Sequence, residues 1–211
     1  MLKLASPLIL ASMAVLFLLA SGAEAGCRRP DLSRAKKEIP AGRIDQSLLD
    51  TAILAEVNYE RCRHGLPKLA AEPRLRRTAE RHSQWMASAK LVSHNSTVAG
   101  RRSLRDRLKG SGIKFRAGAE NIGMLHYFQL DGQVFLVRNA AACEFASQGG
   151  TPLPRHSYQS LARSAVRYWM ASPGHRKNIL NRNVTMMGSA ASVDHTASYC
   201  GTVYLTQNFA G

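Results

Sequence analysis

The period of the apolar pattern changes along this chain, and that change limits what it can fold into. Between about residues 46 and 89, and again between 160 and 170, apolar residues recur at spacings of three and four, the mark of helices buried on one face. Leu48, Ala52, Ala55, Tyr59 and Cys62 form one stripe; Leu75, Ala79, His82, Met86 and Ala89 form a second. Asp45 is placed to cap the first helix, while Gly65 and Pro67 stop it. A short basic segment, "RSLRDRLK", ended by Gly110, predicts a third helix. A fourth is expected from about Ser160 to Met170 with Leu161, Ala165, Tyr168 and Trp169 inward, followed by a last turn or two in "HRKNIL". Strands come late: "MGSAASVD" and "GTVYLTQNF" are separated by a polar turn, and the second puts Val203, Leu205 and Gln207 on one face. Helices first and strands last imply an α+β fold. Residues 124–158 mix aromatics, glycines and prolines and read as an irregular insert.

The N-terminus speaks to compartment. Residues 1–25 carry Lys3, an apolar run to about Ala20, then Ala23-Glu24-Ala25, the pattern of a secretory signal peptide cut before Gly26. Glu24 stands where a lipoprotein signal wants an apolar residue, so ordinary cleavage is expected despite nearby Cys27. Secretion or periplasmic residence follows. Residues 26–45 are polar and basic and read as an N-terminal arm, leaving 46–211 as one domain. Four cysteines remain: Cys27, Cys62, Cys143 and Cys200. An even count in an exported chain implies disulfides, and three connectivities are open. The expected pairing is Cys27–Cys62, tying the arm to a helix, and Cys143–Cys200, tying the insert to a strand. No pair has C-x-x-C spacing, which argues against a thiolate zinc or dithiol redox site.

The net charge of +15 points to anionic neighbours. The chain lacks a nucleic-acid-binding signature, and its aromatics do not interleave with its basic runs. Anionic lipid or a cell-envelope polymer is the expected partner, with peripheral membrane association. The run "RRSLRDRLK" reads first as a solvated face, and as an anion-binding patch only because the domain is so positive.

One stretch suggests chemistry. In "SPGHRKNIL", Ser172 is a suitable N-cap and Pro173 suits the first helical position. His175 then falls in the first turn, where the helix dipole disfavours the imidazolium. A neutral imidazole can ligate a metal, act as a base, or simply fix the turn.

Six segments in order, "NYERCRHGLPKL", "LRRTAERHSQWMA", "SHNS", "GAENIG", "YWMASPGHRKNIL" and "YLTQNF", make residues 46–211 resemble the CAP superfamily of cysteine-rich secretory proteins, venom allergens and plant pathogenesis-related proteins. The secreted bacterial branch is most similar. The resemblance implies a three-layer α-β-α sandwich with an antiparallel sheet. It also implies a cleft holding His94 of "SHNS", Glu120 of "GAENIG" and His175. The second glutamate of eukaryotic members is missing, since Met170, Ala171 and Ser172 follow Trp169. Lipid and sterol binding is what the resemblance suggests.

Two neutral imidazoles, His94 and His175, would give a divalent metal such as zinc only two protein donors, with Glu120 in support. An acid–base role for the same three residues in peptide or cell-wall hydrolysis is the rival reading, although no nucleophile is marked: Ser93 and Ser96 flank His94 outside any nucleophile elbow. A non-catalytic interaction module is the third. His82, on an inward stripe, reads as a hydrogen-bonded core residue, and Asn58 and Arg61 as structural donors.

Overall fold

The computed structural model describes residues 26–211; the expected signal peptide lies outside the described residues. Among the described residues a short 3-10 turn, Ser33–Lys36, precedes five α-helices: α1 Gln46–Arg63, α2 Pro73–Ala89, α3 Leu104–Lys109, α4 Tyr158–Ala171 and α5 Pro173–Ile179. Six strands accompany them: β1 Ala70–Ala71, β2 Gly118–His126, β3 Phe135–Asn139, β4 Glu144–Ser147, β5 Met186–Asp194 and β6 Thr202–Ala210. The main sheet has the order β1-β5-β6-β2. β2, β5 and β6 run antiparallel, while the two-residue β1 is parallel to β5, so the expected antiparallel sheet is mixed at one edge.

Helices cover both faces of this sheet. α2 packs on β5 and β6 from one side, with α3 beside it against β2. α1 and α4 pack together on the other side. The alternation along β6 sorts the two cores. Val203, Leu205 and Phe209 join Leu49, Ile53 and Val57 of α1 and Leu161, Ala165 and Trp169 of α4 in the larger one. Tyr204 joins Met86 and Ile122, and Ala210 joins Leu75 and Leu108, on the α2 side. Gly188 of β5 is where α2 comes closest: a Cβ there would overlap the Arg76 backbone and lie 2.7 Å from the Leu75 carbonyl carbon.

Local signals account for the helix ends. Asp45 Oδ1 accepts from Leu48 N at 3.0 Å and caps α1. Ser103 and Asp106 form a reciprocal capping box on α3, as Ser157 and Ser160 do on α4. Ser172 occupies the N-cap of α5 without a side-chain cap bond; its carbonyl receives Arg176 N at 2.8 Å.

Three expectations change. The core face of α1 is Leu49, Ala52, Ile53 and Val57, whereas Ala55, Tyr59 and Cys62 are partly exposed. Those three face the N-terminal arm, where the Cys27–Cys62 disulfide closes and the Arg29 guanidinium sits 3.6 Å from the Tyr59 ring centre. The helix is covered on two sides: Leu48 and Ala52 of the expected stripe lie in the core, while its C-terminal half turns to the arm. The arm is anchored further along, with Ala35 and Ile39 fully buried in the larger core. Tyr168, expected inward, is 51% exposed; the buried face of α4 runs through Tyr158, Leu161, Ala162, Ala165, Val166 and Trp169.

The stretch 124–158 is ordered. It completes β2, forms the β3–β4 hairpin, and returns through bridges Phe128–Arg155 and Ala146–Pro152. Phe128, Phe135, Phe145 and Tyr199 pack edge-to-face beneath it, and Cys143–Cys200 ties the hairpin turn to the β5–β6 connection. Edge-to-face aromatic packing and a disulfide supply the order that an amphipathic period would otherwise signal. The described residues hold both disulfides and no free cysteine. Among them, no helix is long and apolar enough to cross a membrane.

Candidate functional site

"GAENIG" lies in β2, a strand that the sequence pattern did not reveal. β2 is the edge strand beyond β6, so its side chains alternate between two faces and its outer backbone edge is open to other partners. Glu120 points toward α3 and Asn121 toward α5, as their partners show.

Glu120 is 4% exposed and fully engaged. Arg107 Nη2 donates to both of its carboxylate oxygens at 2.7 Å. His94 Nδ1 lies 2.9 Å from Oε1. Oriented to suit its neighbours, the Asn208 amide donates to Oε2 at 3.0 Å. Arg107 is itself buried, with 2% of its side chain exposed. It also donates to the carbonyls of His94, Arg101 and Arg102 at 2.9 to 3.3 Å, fastening the loop that carries His94. Because a carboxylate can only accept, the His94 Nδ1 carries the proton toward Glu120, and in the neutral tautomer Nε2 carries the free lone pair.

Arg107 was missed in the sequence, where its basic run read as a solvated face. A signal was present: Leu104, Arg107 and Leu108 share one side of a helical turn, and Arg107 and Leu108 are the buried residues of α3.

The other side is built by asparagines. Asn178 Nδ2 donates to the Glu120 carbonyl at 3.1 Å and to Asn121 Oδ1 at 2.9 Å, occupying the open edge of β2. Asn121 Nδ2 donates to the His175 carbonyl at 3.2 Å and to Gln207 Oε1 at 3.0 Å. These bonds fix the start of α5 and place His175, half-buried, beside Tyr168 with ring centres 6.3 Å apart. Burial, and secondarily the charge on His94, hold the His175 imidazole below its ordinary pKa. The shift is in the direction expected but its causes are not the helix dipole, and the two rings lie within electrostatic reach across the edge of β2. Met124 and Tyr168, 55% and 51% exposed, leave apolar surface on this strand and beside His175.

His82 behaves as expected of a core residue: it is 2% exposed, its Nε2 bonds the Ser93 carbonyl at 2.9 Å, and burial lowers its pKa. Asn58 exchanges hydrogen bonds with the Leu69 backbone, and Arg61 donates to the carbonyls of Pro67, Ile179 and Asn181. Neither neighbouring serine is free beside His94: Ser93 Oγ bonds the Asn95 backbone and Ser96 Oγ donates to the Arg101 carbonyl. Among the described residues there is no cluster of three or more His, Cys, Asp or Glu placed to hold a metal ion.

A three-layer α-β-α domain with His94 held on Glu120 at one face of the edge strand and the start of α5 held on Asn121 at the other is the arrangement, and comparison identifies the class. Residues 54–209 match the model of the cysteine-rich secretory protein family, and the chain belongs to that family. It is similar to the membrane protein YlbC of Bacillus subtilis, with 30% identity over 78% of this chain and 35% of the relative. It is also similar to the protein YkwD of the same organism, with 28% identity over 67% and 42%. The chain therefore spans well under half the length of these relatives. Among solved structures, an extracellular SCP-domain protein of Bacillus anthracis superposes with a TM-score of 0.50 at 24% identity, covering 81% of this chain and 45% of that one. An outer surface protein of Borrelia burgdorferi does so with a TM-score of 0.53 at 12% identity, covering 80% and 97%. These likenesses carry the fold alone.

Proposed function

We propose that this is an exported binding protein that holds a lipid, sterol-like or other cell-envelope ligand at the His94–Glu120–His175 cleft, and that it associates with anionic envelope surfaces through its positive charge. Export rests on the N-terminal signal and agrees with the two disulfides. A divalent cation such as zinc fits the cleft only in part. His94 and His175 would hold it, and the ion would supply a charged anchor for a polar head on the ligand. Glu120 is not free to join them.

The observation that carries binding over hydrolysis is the state of Glu120. Its oxygens are taken by Arg107, His94 and Asn208, so it orients His94 rather than serving as a general base. The exposed Met124 and Tyr168 favour a ligand with an apolar portion.

Calorimetric titration with zinc, and separately with a fluorescent fatty-acid or sterol probe, tests this reading. Zinc heat in the wild type that disappears in His94→Ala and His175→Ala is expected, with probe affinity reduced by Tyr168→Ala. Because burial keeps His175 neutral, zinc binding should persist to somewhat below the ordinary imidazole pKa of about 6.5 and then fail as protons compete. Zinc binding that is unchanged in both histidine variants would remove the metal; probe binding indifferent to all three substitutions would remove the cleft. Hydrolysis of a peptide or cell-wall substrate lost in Glu120→Gln would restore the enzyme reading.

A further inference from the structure

Beside the cleft, on the α2 face, lies a separate cavity of about 280 Å³ between α2, the loop 96–101 and α3. Arg81, Arg101, Arg107, His82, Trp85 and Ser96 are among the side chains that line it, and none of its lining residues is acidic. Arg107 is neutralised by Glu120. Arg81 and Arg101 are different: both are exposed at the rim, and among the described residues neither has a carboxylate within ion-pair distance. Among the described residues, the one hydrogen bond of the Arg81 side chain runs to Thr78 Oγ1 at 3.5 Å, at the limit of such a bond. Burial, then the charges of Arg101 and Arg77, hold the Arg81 guanidinium below its ordinary pKa, outweighing the opposing charge of Glu80, which lies beyond ion-pair distance.

The walls add two further features. Trp85 is half-buried and stacks on the His82 ring at 5.5 Å with an interplanar angle of 14°, giving a flat, rigid apolar surface. Two deeply buried lining side chains carry nitrogens without partners: Arg107 Nε, a donor, and His82 Nδ1, the acceptor once Nε2–H is given to Ser93. A native protein leaves few such groups unmet.

We propose that this cavity is a binding site for a phosphate ester, with Arg81 and Arg101 taking the phosphoryl oxygens and Trp85 supporting the carbon body. Guanidinium groups suit phosphoryl oxygens because their N–H groups form paired, charge-assisted hydrogen bonds. The site is independent of the zinc or lipid reading of the cleft, since neither free arginine touches His94, Glu120 or His175 in any hydrogen bond or ion pair. Two sources present this chemistry, a soluble sugar phosphate and a phospholipid headgroup.

The test is calorimetry on the purified protein at ionic strength held constant with chloride. The probes are inorganic phosphate, glucose 6-phosphate, and vesicles of phosphatidylglycerol in phosphatidylcholine. Arg81→Gln/Arg101→Gln is compared with Arg34→Gln/Arg182→Gln, which removes the same charge from exposed positions outside the cavity. Saturable binding of glucose 6-phosphate, weakened at least about tenfold in the first double variant and within about twofold of wild type in the second, is the expected result. Vesicle binding that falls only in the first variant, without binding of the soluble phosphates, also supports the site and assigns it to a lipid headgroup. Absence of saturable binding to every probe, or an equal loss in both double variants, overturns the proposal and leaves only diffuse attraction.

Discussion

The buried Arg107–Glu120 pair makes the sharpest energetic prediction. Both side chains are at most 2% exposed, and among the described residues Glu120 is the only carboxylate within ion-pair distance of Arg107. Glu120→Gln keeps the shape and the hydrogen-bonding capacity toward Asn208 but strands a guanidinium charge in the interior. Removing one partner of a buried pair costs about 3–5 kcal/mol, far more than the net worth of the pair itself. With a urea dependence of about 2 kcal/mol per molar, the unfolding midpoint should fall by roughly 2 M. Arg107→Met strands the carboxylate instead and also frees the loop carbonyls of His94, Arg101 and Arg102. The double variant removes both charges, so its cost should be smaller than the sum of the two single costs by at least about 1 kcal/mol. Equilibrium urea unfolding with both disulfides intact, followed by circular dichroism, measures all three. A Glu120→Gln cost below about 1 kcal/mol, or simple additivity, would refute the claim that the pair is desolvated. It would also undercut the argument that Glu120 is committed to positioning His94.

Two further outcomes follow from other sites. Asp50 is buried under β5, and burial pushes its carboxyl up to about 7 against the Ser189 N–H and Arg76. The native state then holds this proton more tightly than the unfolded chain, so the contribution of Asp50 to stability falls as pH rises from about 4 toward 7. Asp50→Asn should accordingly gain on the wild type by about 2–3 kcal/mol between pH 5 and pH 8, and a pH-independent gap in urea unfolding would contradict it. Gly188→Ala pushes a methyl into the backbone of Leu75 and Arg76 and should cost about 1–3 kcal/mol or more by the same assay; a neutral result would mean that α2 can shift away from the sheet.

Much of this architecture was legible in one dimension because some of its determinants are local. α1 begins at its Asp45 cap, α3 ends at Gly110, and β5 and β6 fall where two late strands were expected, the second from its alternation. The six ordered segments were enough to name the family, and its model matches residues 54–209. The cysteine pairing was one of three that spacing allowed, and it required the chain to bring Cys143 within a Cα distance of 5.9 Å of Cys200. β2 escaped because an edge strand buried on both sides by helices loses the alternation that exposes a strand to pattern reading. Its Glu120 and Asn121 look like loop polarity until Arg107 and Asn178 satisfy them.

Composition, periodicity and caps determined which segments became helices, where most of them started and stopped, and that histidines, a glutamate and a large positive charge were present. Tertiary structure alone decided which charges were neutralised. Arg107 and Arg101 stand six residues apart in one basic run, yet the first is buried against Glu120 and the second, among the described residues, has no carboxylate within ion-pair distance and lies beside Arg81. Desolvation and partner geometry separate them, and both depend on contacts between residues distant in the chain, which no local pattern encodes.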